Sequence, residues 1–253
     1  MAQIGNDYNV RFMFPKAYAE YKLELTETER DLLRKYCYDE EFMLSFEENP
    51  GVDESDPAGF QVNYTKQNLL QRHPDFASLK KAIDDINEHF CTKVNQCALP
   101  PGCTIEICDS WFVRSCGDPN YRGGIMRNEA DTGNYSKEHT HSFSLYSGVL
   151  YLNEEPSEQG FYFAKDHEFG AFTWDRQTYG PGVEEHNRNC IEIYPEYGRV
   201  IMFDSRIKHG LIFSDNPNDI RYSLVWNTWP NGAISNNRSG SLDTNDFPSN
   251  VST

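Results

Sequence analysis

The chain has 253 residues, a formal net charge of −16 and a pI near 4.8. Hydrophobic residues make up 38% and aromatics 14%, enough for one sizeable core in which rings do much of the packing. So negative a field repels nucleic-acid phosphates and anionic membrane surfaces, neither of which is expected as a main partner, and no apolar run approaches the length that spans a bilayer.

The seven cysteines, Cys37, Cys91, Cys97, Cys103, Cys108, Cys116 and Cys190, are odd in number and form no CxxC pair. That pattern argues against a zinc ribbon or a secreted disulfide framework and for free thiols in a reducing compartment. Residues Met1 to Asp7 lack the basic-then-apolar form of a secretory signal, so the expected location is the cytoplasm, that of the host if the chain is phage-encoded.

In chain order, Val10–Pro15 and Tyr18–Leu25 read as short strands. Thr26-Glu27-Thr28-Glu29 is a capping box that opens a helix through about Cys37. The acid-, Pro- and Gly-rich stretch from Glu47 to Ala58 is a loop. A second helix is expected from about Pro74, with Phe76, Leu79, Ile83, Ile86 and Phe90 forming its apolar stripe. From Thr104 the pattern changes to short strands separated by turn signals such as Gly180-Pro181-Gly182 and Asp215-Asn216-Pro217-Asn218. Expected strands include 104–108, 110–114, 145–152, 160–163, 171–174, 190–194, 200–203 and 220–229. Many short strands with this punctuation suggest a sandwich, jelly roll or barrel. The expected organisation is a single domain over 1–230, with helical support over about 26–91 and a β core over about 104–229. Residues 231–253 read as a polar tail.

The chemistry concentrates in His139-Thr140-His141, in His209 far down the chain, and in Arg221-Tyr222-Ser223. In an extended chain, residues i and i+2 project from one face, so His139 and His141 can point at one ion. Neutral imidazole is the commonest protein metal ligand. Arg221 stands in an otherwise apolar and aromatic run, and a buried guanidinium demands a partner. A bound carboxylate gripped by Arg221 and Ser223 would supply one; Asp204 and Glu192 are the internal alternatives.

These residues, with Ser147-Gly148-Val149-Leu150-Tyr151-Leu152, Phe203-Asp204-Ser205 and Arg221 to Asn227, resemble the 2-oxoglutarate/iron(II) oxygenases of the phage and bacterial type, relatives of the prolyl hydroxylases. The resemblance is densest over Trp111–Trp229. It implies a mainly β fold with N-terminal helices around a double-stranded β-helix (a jelly roll of cupin-like form). It further implies Fe(II) and 2-oxoglutarate as cofactors, His139 and His209 as metal ligands, and Arg221, Ser223 and Tyr151 on the far carboxylate of 2-oxoglutarate. His141 stands where that family carries a carboxylate; it is taken as the third ligand, with Asp204 and Asp166 left open as carboxylates from elsewhere. Glu138 is excluded because neighbours on a strand face opposite ways. Dioxygen and a primary substrate, a protein side chain or a small molecule, are the implied partners. Phe143, Phe161, Phe163 and Trp226 are candidate walls, and the segments 161–174 and 177–190 a candidate lid. Two other readings remain open: a three-histidine cupin-type metalloenzyme that does not use 2-oxoglutarate, and a non-catalytic jelly-roll binding module.

Overall fold

The computed structural model describes residues 16–38, 62–64, 68–72, 74–116, 134–135, 139–164, 190–214, 216, 218–233 and 241–242. The strands expected at 10–15 and 171–174, the loop at 47–58, most of the candidate lid, Glu138 and Asp166 lie outside the described residues.

The N-terminal part alternates β1 (Tyr18–Lys22), α1 (Glu27–Tyr38), β2 (Val62–Tyr64), α2 (Leu69–Arg72) and α3 (Ala77–His89). The rest is strand: β3 (Thr104–Cys116), β4 (Asn134–Tyr135), β5 (Tyr146–Tyr151), β6 (Phe161–Ala164), β7 (Cys190–Ile193), β8 (Arg199–Asp204), β9 (His209–Phe213), β10 (Ile220–Ala233) and β11 (Ser241–Leu242). One sheet runs β1-β8-β5-β10-β3-β2, with β11 on the end of β10; the other runs β4-β9-β6-β7. Every described pairing is antiparallel. The larger sheet lies against the helices on one face and the smaller sheet on the other. This is the jelly-roll arrangement.

The capping box forms as read. Thr26 N donates to Glu29 Oε2 at 2.9 Å and Glu29 N donates to Thr26 Oγ1 at 3.2 Å, meeting amides that the first turn of α1 cannot otherwise satisfy. The second helical stripe also holds, though in three pieces: a 3-10 turn over Pro74–Phe76, then α3, then a π turn over Phe90–Val94. Phe76, Leu79, Ile83 and Phe90 are buried and join Leu150 and Leu224 in one cluster. Trp226 Nε1 donates to Asn87 Oδ1 at 2.9 Å, so the buried indole ties β10 to α3 with its one polar group satisfied.

All six residues of β5 are buried, which explains why it reads as a continuous apolar run rather than an alternation. Leu150 faces the helices, while Val149 and Tyr151 join Phe161, Phe163, Ile201 and Phe203 between the sheets. Burial of each such side chain is worth about 1.5–3 kcal/mol. The two strands expected at 104–108 and 110–114 are a single strand, β3. The supposed tail continues β10 to Ala233 and supplies β11. Among the described residues, Cys91, Cys97, Cys103 and Cys108 are free thiols, and no helix is long and apolar enough to cross a membrane.

Candidate metal centre

His139 and His141 do not lie on β5; they precede it, in a segment clipped to the start of β9. His139 N donates to His209 O at 3.0 Å, His209 N donates to His139 O at 3.1 Å, and His141 N donates to Ser205 O at 3.0 Å. The one-residue spacing still matters, because this clipped stretch is extended enough to turn both rings toward His209. β9 itself, opening at His209, was not legible as a strand.

The three histidines each offer a ring nitrogen, and these atoms all lie within 4.8 Å of one another. His209 is 3% exposed, His141 half-buried and His139 exposed. His209 Nδ1 donates to Ile207 O at 2.8 Å, which leaves its Nε2 as a lone pair. That Nε2 lies 3.0 Å from His141 Nε2. Two nitrogens each about 2.1 Å from one ion and at right angles to it are about 3.0 Å apart, so the pair fits adjacent positions on one cation. Burial, and then His139, depress the His141 pKa to about 4. Burial, His139 and His141 depress that of His209 to about 3. Both rings are therefore neutral at ordinary pH, the form a metal requires. Phe161 and Phe203 pack against the His209 ring, with centroids 5.2 and 4.8 Å away, and Trp111 lies parallel to His141 at 6.4 Å.

A cavity of ≈ 120 Å³ joins the imidazoles to Tyr151, Arg221 and Ser223. Alternation along β10 puts Arg221 and Ser223 on the same face, and Tyr151 stands directly across from Ser223 on β5. Arg221 and Ser223 are each 2% exposed, and Arg221 Nη1 donates to Gly160 O at 2.7 Å. Tyr151 is 1% exposed, and among the described residues its hydroxyl has no hydrogen-bond partner. Its pKa is pushed up to about 12 by burial. A buried guanidinium, a buried hydroxyl and an unsatisfied phenol around one small cavity suit the carboxylate end of a diacid.

Other expectations are redirected. Asp204 is not part of the histidine cluster: it accepts from Arg206 N and Nε at 2.9 Å and from Nη2 at 2.6 Å. Glu192 is exposed on β7 and accepts from Tyr194 Oη at 3.0 Å. Of the proposed walls, Phe161 lines the cavity and Phe163 packs behind it. Phe143 is 82% exposed, and Trp226 faces the helices. The reading from sequence missed Trp111 and Phe203, which do line the cavity.

Residues 126–227 match the model of a family described as "Putative 2OG-Fe(II) oxygenase". This segment is similar to the 2OG-Fe(II) oxygenase family. Within the matched segment lie His139, His141, Tyr151, His209, Arg221 and Ser223, and Asn227 is its last residue. No curated protein matches the chain. Among solved structures, the non-heme alpha-ketoglutarate-dependent carbocyclase SnoK of nogalamycin biosynthesis aligns at TM-score 0.52 and 15% identity, over 84% of this chain and 79% of its own. The epimerase SnoN of the same biosynthesis aligns at 0.51 and 9%, over 90% and 89%. AviO1 from Streptomyces viridochromogenes Tue57 aligns at 0.50 and 12%, over 90% and 93%. At these identities the likeness speaks for the fold alone.

Proposed function

We propose that the protein is an Fe(II)- and 2-oxoglutarate-dependent dioxygenase that hydroxylates a C–H bond of a protein side chain or small molecule. The observation that carries this reading is one small cavity with three convergent imidazoles and a buried Arg221–Ser223–Tyr151 cluster. His139, His141 and His209 would hold the metal, and Arg221, Ser223 and Tyr151 the far carboxylate of 2-oxoglutarate. When bound, the two cofactors supply the oxidation: one dioxygen converts 2-oxoglutarate to succinate and CO2 and places its other oxygen atom in the substrate C–H bond.

The chain's own residues bind, orient and keep the site dry. Arg221 provides fixed positive charge where a carboxylate would rest, and the Tyr151 hydroxyl gains a partner that burial otherwise denies it. Phe161 and Phe203 pack against His209 and Trp111 against His141, keeping water from these two rings and strengthening the polar contacts beside them. The three ligands are neutral, so the metal would keep its full charge to polarise what binds beside it.

The test is anaerobic addition of Fe(II) and then 2-oxoglutarate. A weak visible charge-transfer band is expected, followed by succinate when air is admitted, and neither is expected from His139→Ala. Metal retention without a band or succinate would refute the use of 2-oxoglutarate; absence of metal would refute the centre itself.

A further inference from the structure

The histidine cluster uses no cysteine, yet two cysteines converge elsewhere. Past α3 the chain makes its π turn over Phe90–Val94, and Cys97 N then donates back to Cys91 O at 3.0 Å. With standard backbone dimensions this bond holds the two Cα atoms about 5–6 Å apart, the separation that disulfides most often span. The side chains point at one atom as well. Tyr146 Oη donates to Cys91 Sγ at 3.9 Å and lies 3.4 Å from Cys97 Sγ. Two sulfurs that meet the same oxygen from neighbouring Cα positions are not directed apart, which is the usual obstacle to a bridge. The thiols differ in access: Cys91 is 0% exposed, in the cluster between the helices and the larger sheet, while Cys97 is exposed. Burial pushes the Cys91 thiol up to about 11, so by itself it is a poor nucleophile.

We infer that Cys91 and Cys97 are a peroxide-responsive modification site: hydrogen peroxide oxidises the exposed Cys97, and the buried Cys91 then closes a disulfide onto it. In the first step the Cys97 sulfur attacks one peroxide oxygen, the O–O bond breaks, and the products are the Cys97 sulfenic acid and water. In the second step the Cys91 sulfur attacks the Cys97 sulfur. The S–S bond forms, the S–O bond breaks, and the leaving hydroxyl takes the Cys91 proton to become a second water. Two electrons pass in all from the two thiols to the peroxide. Cys91 must shed its proton to attack, and Tyr146 supports that moment, because its hydrogen bond to sulfur strengthens as negative charge develops there. Cys97, being exposed, is free to turn about its Cα–Cβ bond and meet the buried sulfur. A reversible bridge of this kind suits a reducing compartment, where permanent disulfides are rare. Cys91 and Tyr146 belong to the helix-side cluster, across the larger sheet from the imidazoles, so the chemistry stands whether or not a metal binds.

Peroxide titration of the full chain, reduced and kept in chelator, decides the matter. After a small excess of hydrogen peroxide the thiols are capped with N-ethylmaleimide, and a non-reducing tryptic digest is read by mass spectrometry. Trypsin cuts after Lys93, between the two cysteines, so the bridge joins two peptides whose combined mass falls by two hydrogen atoms. Fragmentation then distinguishes Cys97 from Cys103 and Cys108 in the second peptide. Most of Cys91 is expected in a link to Cys97, and dithiothreitol should restore both thiols. Cys91→Ser should stop at the Cys97 sulfenic acid, which dimedone labels. Cys97→Ser should leave Cys91 reduced at the same dose, and because Cys97 is exposed this variant tests the pairing even if Cys91→Ser fails to fold. A wild type that keeps Cys91 reduced, whatever becomes of Cys97, overturns the inference. So does a link from Cys91 to any other cysteine, or a Cys91 oxidised as readily in Cys97→Ser.

Discussion

Tyr151→Phe removes a single oxygen atom, and the proposed function gives that atom opposite effects in two states. In the free protein the hydroxyl is buried and, among the described residues, has no hydrogen-bond partner. A buried donor left unsatisfied costs about 1–3 kcal/mol, so its removal should stabilise the metal-free, ligand-free protein by about that amount. For a chain of this size each kcal/mol moves Tm by roughly 2–4 °C, an easily resolved rise. With 2-oxoglutarate in the cavity, the same hydroxyl would donate to a carboxylate, a bond worth about 1.5–3 kcal/mol. Its loss should weaken binding by about 10- to 150-fold. Thermal unfolding with a redox-inert metal such as Mn(II), over a 2-oxoglutarate titration, reads both effects at once. The Phe variant should start at a higher Tm and gain less from the ligand. A lower starting Tm together with an undiminished ligand-induced rise would refute the reasoning.

Gly148→Ala should destabilise the fold strongly. A Cβ there would sit 2.2 Å from Trp226 Cε2 and Cζ2 and 2.7 Å from Met202 Sδ, and overpacking of this kind costs about 1–3 kcal/mol or more. An unchanged urea midpoint would mean that Trp226 does not lie over this glycine. The metal-free protein should also weaken on acidification. His141 and His209 titrate at about 4 and about 3 when folded, both lowered chiefly by burial, against an ordinary value of 6.5. Between those limits the unfolded chain takes up protons that the folded chain refuses. The contribution of these rings is therefore fully present above pH 6.5 and lost as pH falls through the folded values. Urea midpoints at pH 7 and pH 5 should differ by more in the wild type than in a His141→Gln/His209→Gln variant; equal differences would remove the histidines from the account.

What the sequence alone determined is what local chemistry and short periods encode. The Thr26–Glu29 box is legible because its bonds close within one turn, and the Phe76-to-Phe90 stripe because a helix repeats every 3.6 residues. Arg221 and Ser223 share a face for the same kind of reason, a period of two along β10. The family likeness drew on this same legible set of histidines, arginine and strand motifs. Only the tertiary structure decided which faces meet. It set His139 against the start of β9 by a bridge between residues distant in the chain and sent Trp226 to the helices. It also placed Ser147 directly across from Asn227. Each of these outcomes follows from strand register and sheet packing, where a shift of one residue would exchange the two faces. Register is settled by the burial of many side chains together, and no short stretch of sequence contains that sum.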